Sequence, residues 1–483
     1  MKLDRLVEEL QGICGPERVV TDPEALNTYA QDGLLHFWVK PPVAVLPDTS
    51  EEVQRILKAC HAAEVPWVAR GSGTGLSGGA VPVEEGVLVV LSRMRRILEV
   101  DLDNQRVIVE PGVSNIEVTN AVAPGFFYPP DPSSQIVCSI GGNVAENSGG
   151  AHCFKYGFTT NYVIGLEVVL ANGDIVALGG KELDQPGYDL IGAFVGSEGT
   201  LGIATRITLR IIPAAESFHT LVAYFDSMDK AGQAVTDIIG AGIVPAAIEM
   251  MDKLTIEATE EATHAGYPLD VGAALIVELD GPEEECSARF DELMGICRNN
   301  HSTDIRVAGD AAERALIWKA RKAAFAAMGR VSPSYYVQDS VIPRTSLSEV
   351  LRRIDELSLE YGFKVANVFH AGDGNLHPLV CYDGTKAGET TKAEELAGAI
   401  VNACVEAGGS ITGEHGVGLD KKMHMTDMFS ESDLAAFQRL RCAFDPAQLV
   451  NPGKVMPTPR LCGEVPGPYR QHPLERSGVA ERF

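Results

Sequence analysis

The stretch RGSGTGLSGG, residues 70–79, places five glycines directly after VPWVA, an apolar run with the character of a strand. Gly73, Gly75 and Gly78 fit G-x-G-x-x-G letter for letter, but that pattern holds a dinucleotide only when its last glycine opens a helix whose N-terminus faces the pyrophosphate. Here AVPVEEGVLVVLS follows, with Pro82, a turn at 84–86 and a β-branched run over 87–91. What remains is a glycine-rich loop joining two strands, whose exposed N–H groups can form an anion-binding nest without a helix dipole. A tight turn at a sheet edge needs one or two glycines, so this loop is built for close approach to its backbone.

The flanking pattern is regular. PPVAVLP at 41–47 reads as a strand, DTSEE opens a helix with Thr49 and Glu52 spaced as a capping box, and Val53, Ile56, Leu57 and Cys60 recur at helical spacing. A β-α-β unit therefore delivers the glycine loop. From 87 to about 212 strands dominate, and ILEVDLDNQRVIVEPG and GLEVVLANGDIVALGG read as hairpins around Asp-Asn and Asn-Gly turns. SIGGNVAENSGG (139–150) and VGSEGTLGI (195–203) add two glycine clusters, and three clusters in one region point to one elongated ligand lying along backbone. Beyond Pro213, residues 216–425 alternate helices such as SMDKAGQAVTDIIGAG with strands such as AALIVELDG, a second α/β unit. SDLAAFQRLRCAFDP returns to helix before LVNPGKV.

A chain of 483 residues, 45% apolar, can build two substantial cores. Its net charge of −26 argues against nucleic acid and anionic lipid as partners. The ten cysteines include no C-x-x-C, so neither a zinc ribbon nor an iron–sulfur cluster is signalled, and a reducing, cytoplasmic setting fits. The N-terminus lacks a signal-peptide core, and no apolar run approaches membrane-spanning length.

Chemistry concentrates in VANVFHAGDGNLHPLVCYD. Taking Asp373-Gly374 as a two-residue hairpin turn pairs Gly372 with Asn375, Ala371 with Leu376 and His370 with His377. Opposed side chains stand about 4.5–5.5 Å apart at Cβ, close enough for two imidazoles to share a divalent ion. GEHGVG at 413–418 offers Glu414 and His415, and two histidines plus a carboxylate with an open position form a catalytic Lewis-acid site. A histidine pair can also be a structural feature of a hairpin, since the chain has eleven histidines.

RGSGTGLSGG, SIGGNVAENSGG with its continuation AHCFKYG, VGSEGTLGI, HAGDGNLH, GEHGVG and NPGK occur in this order over residues 20–456. In this the chain resembles FAD-linked 2-hydroxyacid dehydrogenases of the vanillyl-alcohol-oxidase type; SPSYYVQD and VANVFHAGDGNLHPL are similar, more narrowly, to the flavin subunits of bacterial glycolate oxidases. The resemblance implies an α+β fold: an N-terminal helical segment (1–37), a two-subdomain FAD-binding domain of the PCMH type (38–215), a ferredoxin-like α/β cap (216–425), a helical segment returning to the flavin (426–460) and a tail (461–483). It also implies that Arg70, Gly71, Ser72, Gly73, Thr74 and Gly75 cradle the FAD pyrophosphate, and that Gly141, Gly142, Asn147, Gly149 and Gly150 line the isoalloxazine and ribityl groups. Glu198, Gly199, Gly202 and Ile203 would meet the adenosine side, with Asn451 closing the site. His370, His377 and Glu414 would hold a divalent metal (zinc, manganese or iron), His415 would be the base and Arg321 would fork onto the substrate carboxylate.

Those roles suit the chemistry, because oxidising a 2-hydroxy acid removes a hydroxyl proton and passes the Cα hydride to flavin N5. Arg321 also has a plainer reading as a salt-bridging helix residue, with Lys319 and Lys322 beside it on a solvated face. Two departures from the family refine the expectation. The first glycine loop has no histidine for a covalent link, so FAD is expected to be non-covalent. SPSYYVQD has no lysine or arginine where hydroxyglutarate dehydrogenases carry a lysine, so glycolate or D-lactate is favoured over a dicarboxylate. The expected setting is the cytoplasm, peripheral to the inner membrane only through partners: an iron–sulfur subunit and a second flavin-fold subunit. The alternatives are a free-standing D-lactate or D-2-hydroxyglutarate dehydrogenase and a flavin-binding subunit without chemistry.

Overall fold

In the computed structural model, which describes residues 2–183, 186–457 and 462, the first glycine loop leaves the strand Trp67–Arg70 and enters Val87–Val90. The two strands are parallel neighbours, and Val43–Val45 pairs with Val87–Val90 on the other side. Val19–Val20 adds an antiparallel edge. The helix Ser50–Ala62 covers this sheet with Val53, Ile56, Leu57 and Cys60, all buried, against Leu6 and Leu10 of the helix Lys2–Cys14. Thr49 caps it by accepting from Glu52 N. Glu52 does not complete the capping box: its carboxylate accepts from Asp48 N at 2.7 Å and pairs with Arg18, which outbids the neutral alternative.

A second sheet is antiparallel, in the order Ile97–Asp101, Arg106–Val109, Ile203–Arg210, Val163–Val169, Ile175–Gly179. Both expected hairpins are present, closing Asp101 on Arg106 and Val169 on Ile175. The second and third glycine clusters pack on this sheet.

The third sheet accounts for most of 217–382. Its central strands, Ser217–Phe225, Ala273–Gly281, Ala247–Asp252 and Lys364–His370, pair antiparallel throughout. The alternation of helices and strands in sequence suggests α/β, but the ladders make this unit α+β. Leu221, Ala223 and Phe225 face one helical layer, Val222 and Tyr224 the other, and the paired strand does the same, which is why its first five residues, AALIV, are continuously apolar.

The hairpin at Asp373 differs from the two-residue expectation. His370 is opposed by Asn375 and Asn367 by Pro378, leaving 371–374 as the turn. The neighbouring strand is the cause: Ile248 O accepts from Ala371 N at 2.9 Å and Gly372 N at 3.3 Å, taking those amides out of the hairpin. His377 therefore falls opposite Val368, diagonal to His370. A shift of two positions preserves the face, so both imidazoles still point the same way.

The chain then returns to its beginning. After the helix Glu431–Phe444, Trp67 N donates to Leu449 O and Asn451 N to Trp67 O. Eight cysteines are buried and unpaired, but Cys442 and Cys462 form a disulfide that their separation of 20 residues did not announce. The rest of 461–483 lies outside the described residues. Among the described residues no helix is long and apolar enough to cross a membrane.

Candidate active site

A cavity of about 890 Å³ opens between the glycine-rich half and the large sheet. Gly71, Ser72, Gly73, Thr74 and Gly75 line it from the first loop, Gly141 and Gly142 from the second, and Glu198 and Gly199 from the third. Side chains would close this wall. A Cβ on Gly71 would strike the Ser139 hydroxyl, one on Gly141 would lie 2.6 Å from Pro111 Cβ, and Gly73 sits at φ +70°. Arg70 braces the loop from behind, with Nη1 donating to Gln31 O at 2.8 Å.

Other residues expected at the flavin stand off the cavity wall. Asn147 ends the helix Ile140–Glu146 in the left-handed region and accepts from Thr160 N. Gly149 backs onto Glu414, and Gly150 packs on Asp131. Gly202 abuts Val169, and Ile203 is buried in the core of the first sheet. Asn451 is a brace: its amide donates to Glu198 O at 2.8 Å and Gly79 O at 3.1 Å.

On the opposite side His377, Glu414 and His415 line the cavity, with His370 buried behind them. His370 Nε2 is 3.3 Å and His377 Nε2 3.4 Å from the same oxygen, Glu414 Oε1, and one ligand atom from each of the three residues lies within 4.8 Å of the others. His370 Nδ1 meets Glu249 Oε1 at 2.6 Å. The imidazoles of His377 and His415 stack with centroids 5.0 Å apart. The histidine pair and GEHGVG are thus brought together as expected.

An acid within SPSYYVQD holds the irregular loop. Buried Asp339 accepts from Thr412 Oγ1 at 2.6 Å, Gly413 N at 2.9 Å and His415 N at 3.0 Å, while Lys421 Nζ donates to its carbonyl. From the other half Glu198 accepts from Val417 N at 2.8 Å and Gly418 N at 2.5 Å, so the third glycine cluster grips the GEHGVG loop.

These contacts set the charges. Burial drives the His415 pKa down to about 4 against the opposing pull of Asp339, so its imidazole is neutral at physiological pH. Burial would raise Glu414, but the His370 hydrogen bond and the surrounding imidazoles outweigh it and hold the carboxyl at about 2. Burial likewise opposes a charge on His370, yet Glu249 and Glu414 on either side lift it well above the usual range.

Arg321 does not occupy a solvated face. It is 3% exposed, with Nη2 2.6 Å from Glu249 Oε2, while Lys319 and Lys322 beside it are exposed and Lys322 lines the cavity. His152 meets Asp131 Oδ2 at 2.9 Å and packs on Trp318; Cys153 is buried. Sequence reasoning missed Asp339 and Glu249. Asp339 gave no signal, because its hydrogen-bond partners, the Thr412 hydroxyl and backbone amides of the same loop, lie more than 70 positions away. Glu249 gave one: an acid inside the apolar strand AIEMMD.

Residues 41–179 match the model of an FAD binding domain, and 214–455 match that of the FAD linked oxidases, C-terminal domain. The chain belongs to the FAD-linked oxidases. It is 48% identical to the glycolate oxidase subunit GlcD of Escherichia coli (strain K12), over 97% of this chain and 94% of that one. Identity is 39% with GlcD of Bacillus subtilis (strain 168), over 93% and 96%, and 32% with a D-lactate dehydrogenase of Anaerostipes hadrus, over 93% and 97%. Among solved structures, p-cresol methylhydroxylase with substrate bound superposes with a TM-score of 0.78 at 17% identity, covering 94% of this oxidase and 96% of that chain. The 4-ethylphenol oxidase of Gulosibacter chungangensis gives 0.78 at 20%, covering 95% and 98%. These two share the fold of this FAD-linked oxidase.

Proposed function

We propose that this FAD-linked oxidase converts a short 2-hydroxy acid, glycolate or D-lactate, to the 2-oxo acid, as the flavin subunit of a glycolate oxidase assembly. One observation carries the reading: His415 stands beside the His370–His377–Glu414 cluster, stacked on His377, at the wall of a glycine-lined cavity. Both sets of residues fit the groups they would hold. The glycine wall admits a flat, extended cofactor against backbone, with Gly71–Gly75, Gly141, Gly142 and Gly199 at its surface and Arg70, Asn147, Gly149, Gly150, Gly202, Ile203 and Asn451 shaping it from behind. In the cluster, the buried His377 ring nitrogens have no hydrogen-bond partner, and the donor set of two imidazoles and a carboxylate suits zinc, manganese or iron. When bound, non-covalent FAD supplies a two-electron acceptor and the divalent ion a Lewis acid.

The chain's own residues do the rest. His415 takes the substrate hydroxyl proton, since burial keeps it neutral and its backbone is fixed by Asp339. One cation, Lys322, stands at the wall for the substrate carboxylate; Arg321 is buried behind it and is linked to the ligand set through Glu249. The domain limits follow the same reading, with the flavin domain over 38–215, the cap over 216–425 and the returning segment over 426–460. Electrons leave to an iron–sulfur subunit and a second flavin-fold subunit, in the cytoplasm, with any membrane association made through those partners.

Steady-state turnover of the purified chain with a dye acceptor tests the substrate. Glycolate and D-lactate are expected to exceed D-2-hydroxyglutarate in kcat/KM by at least tenfold. Lys322 favours a second reading, a dicarboxylate whose distal group meets that cation; preference for D-2-hydroxyglutarate would establish it and overturn the first. Replacing His370 or His377 with Ala tests the metal. Loss of bound metal and of substrate-driven flavin reduction, with FAD retained, is expected; full metal and normal reduction in both variants would remove the ion from the mechanism.

A further inference from the structure

Glu249 is a charged side chain with no exposure at all, in a strand whose neighbours are apolar. Burying a lone carboxylate costs several kcal/mol, so such a residue persists only where specific partners hold it. It has two, one on each oxygen. Oε1 meets His370 Nδ1 at 2.6 Å, and Oε2 lies 2.6 Å from Arg321 Nη2 in an ion pair of poor hydrogen-bond angle. The fold places them together: Glu249 and His370 are directly opposed across adjacent strands, and Arg321 comes from the helix Ala311–Ala327 covering that face. His370 presents its other nitrogen, Nε2, to Glu414.

The geometry points to Glu249 as a positioning residue, which fixes the ring orientation of His370 through Nδ1 so that Nε2 is offered to a metal, and ties the same anchor to Arg321. The assignment rests on the metal reading proposed above. A carboxylate on the distal nitrogen of a ligating imidazole sets its tautomer and raises its basicity, and loss of such a partner typically lowers metal affinity about 10–100-fold. The competing explanation is that Glu249 only neutralises the buried charge of Arg321. The two differ in what happens when both charges are removed.

Zinc affinity, measured by chelator competition on the FAD-loaded full chain, separates them. Glu249→Met, which removes both oxygens, is expected to bind zinc about 10–100-fold more weakly than wild type with an unchanged FAD-to-protein ratio. Because that variant leaves Arg321 buried without a counter-charge and can fail to fold, the double variant Glu249→Met/Arg321→Met carries the decision. It has no uncompensated charge, yet His370 still lacks its anchor, so zinc affinity is expected to stay about 10–100-fold down. Restoration to within twofold of wild type would overturn the assignment and leave Glu249 as a counter-ion. Loss of FAD in step with zinc in the double variant would also overturn it, making Glu249 a residue of the fold. Wild-type protein that takes up no zinc would overturn the metal reading and this assignment together, whereas zinc-binding wild type with a restored double variant overturns the assignment alone.

Discussion

Gly73 and His377 line one cavity, but the walls they belong to are held in unlike ways. The glycine wall is bare backbone in close contact with its neighbours: an added carbon would meet the Ser139 hydroxyl at Gly71, the Arg70 guanidinium at Gly73 and Pro111 at Gly141. The histidine wall is a set of buried charges and imidazoles, in which Glu249, Asp339 and Glu414 each answer a specific partner. A substitution therefore acts by volume on one side and by charge on the other. The first wall should bear on cofactor content and stability, the second on metal and rate.

The largest effect should come from the histidine wall. His415→Ala is expected to slow flavin reduction by substrate about 10²–10⁴-fold, seen by stopped-flow bleaching, with FAD and metal retained. Loss of FAD from this variant would break the division between the walls.

Next comes a contact away from both walls, where His152, beside the second glycine cluster, sits by Asp131 and 3.6 Å from Glu278 of the large sheet. Burial opposes its charge, but Asp131 and Glu278 together outweigh burial and raise its pKa to about 10. With the folded value above the unfolded one, near 6.5, its contribution is complete below about pH 6.5 and is lost as pH climbs through about 10. His152→Gln should cost about 1.5–3 kcal/mol at pH 6, with the gap to wild type closing towards pH 10 in denaturant titrations. A pH-independent gap would show that His152 is held by packing on Trp318 instead.

The glycine wall follows. Gly141→Ala should lower stability by about 1–3 kcal/mol and reduce the FAD-to-protein absorbance ratio while zinc affinity is unchanged. Smallest is a site remote from both walls: Thr49→Ala should cost about 1 kcal/mol in thermal unfolding and leave both FAD and metal alone.

The local parts of this molecule were legible in the sequence because their causes are local. Helical spacing from Val53 to Cys60 produced the helix, and two hairpin turns closed where Asn and Gly allow it. The glycine loop failed the dinucleotide-helix test for the reason the structure shows, a strand and no helix after it. The Asp373 hairpin was legible in face but not in register, since the deciding hydrogen bonds come from Ile248, on another strand. Asp339, Glu249 and the buried placement of Arg321 were hidden for the same reason: a carboxylate satisfied by amides of a distant loop, or by a helix across a sheet, leaves no periodic trace. Cys442 and Cys462 belong with these.

The returning segment carries a consequence for how the protein is made. Lys454, 1% exposed, donates to Gly79 O at 3.1 Å, Val81 O at 2.7 Å and Asn451 Oδ1 at 2.6 Å, and Asn451 spans from Gly79 to Glu198. The carbonyls they satisfy lie up to 375 positions earlier in the chain. While the ribosome is still synthesising the large sheet of 217–382, the first glycine loop has no such support, and its buried carbonyls stay unmet until residue 454 has emerged. The cradle is laid down first and finished last, so a nascent chain arrested before residue 451 should leave the ribosome colourless.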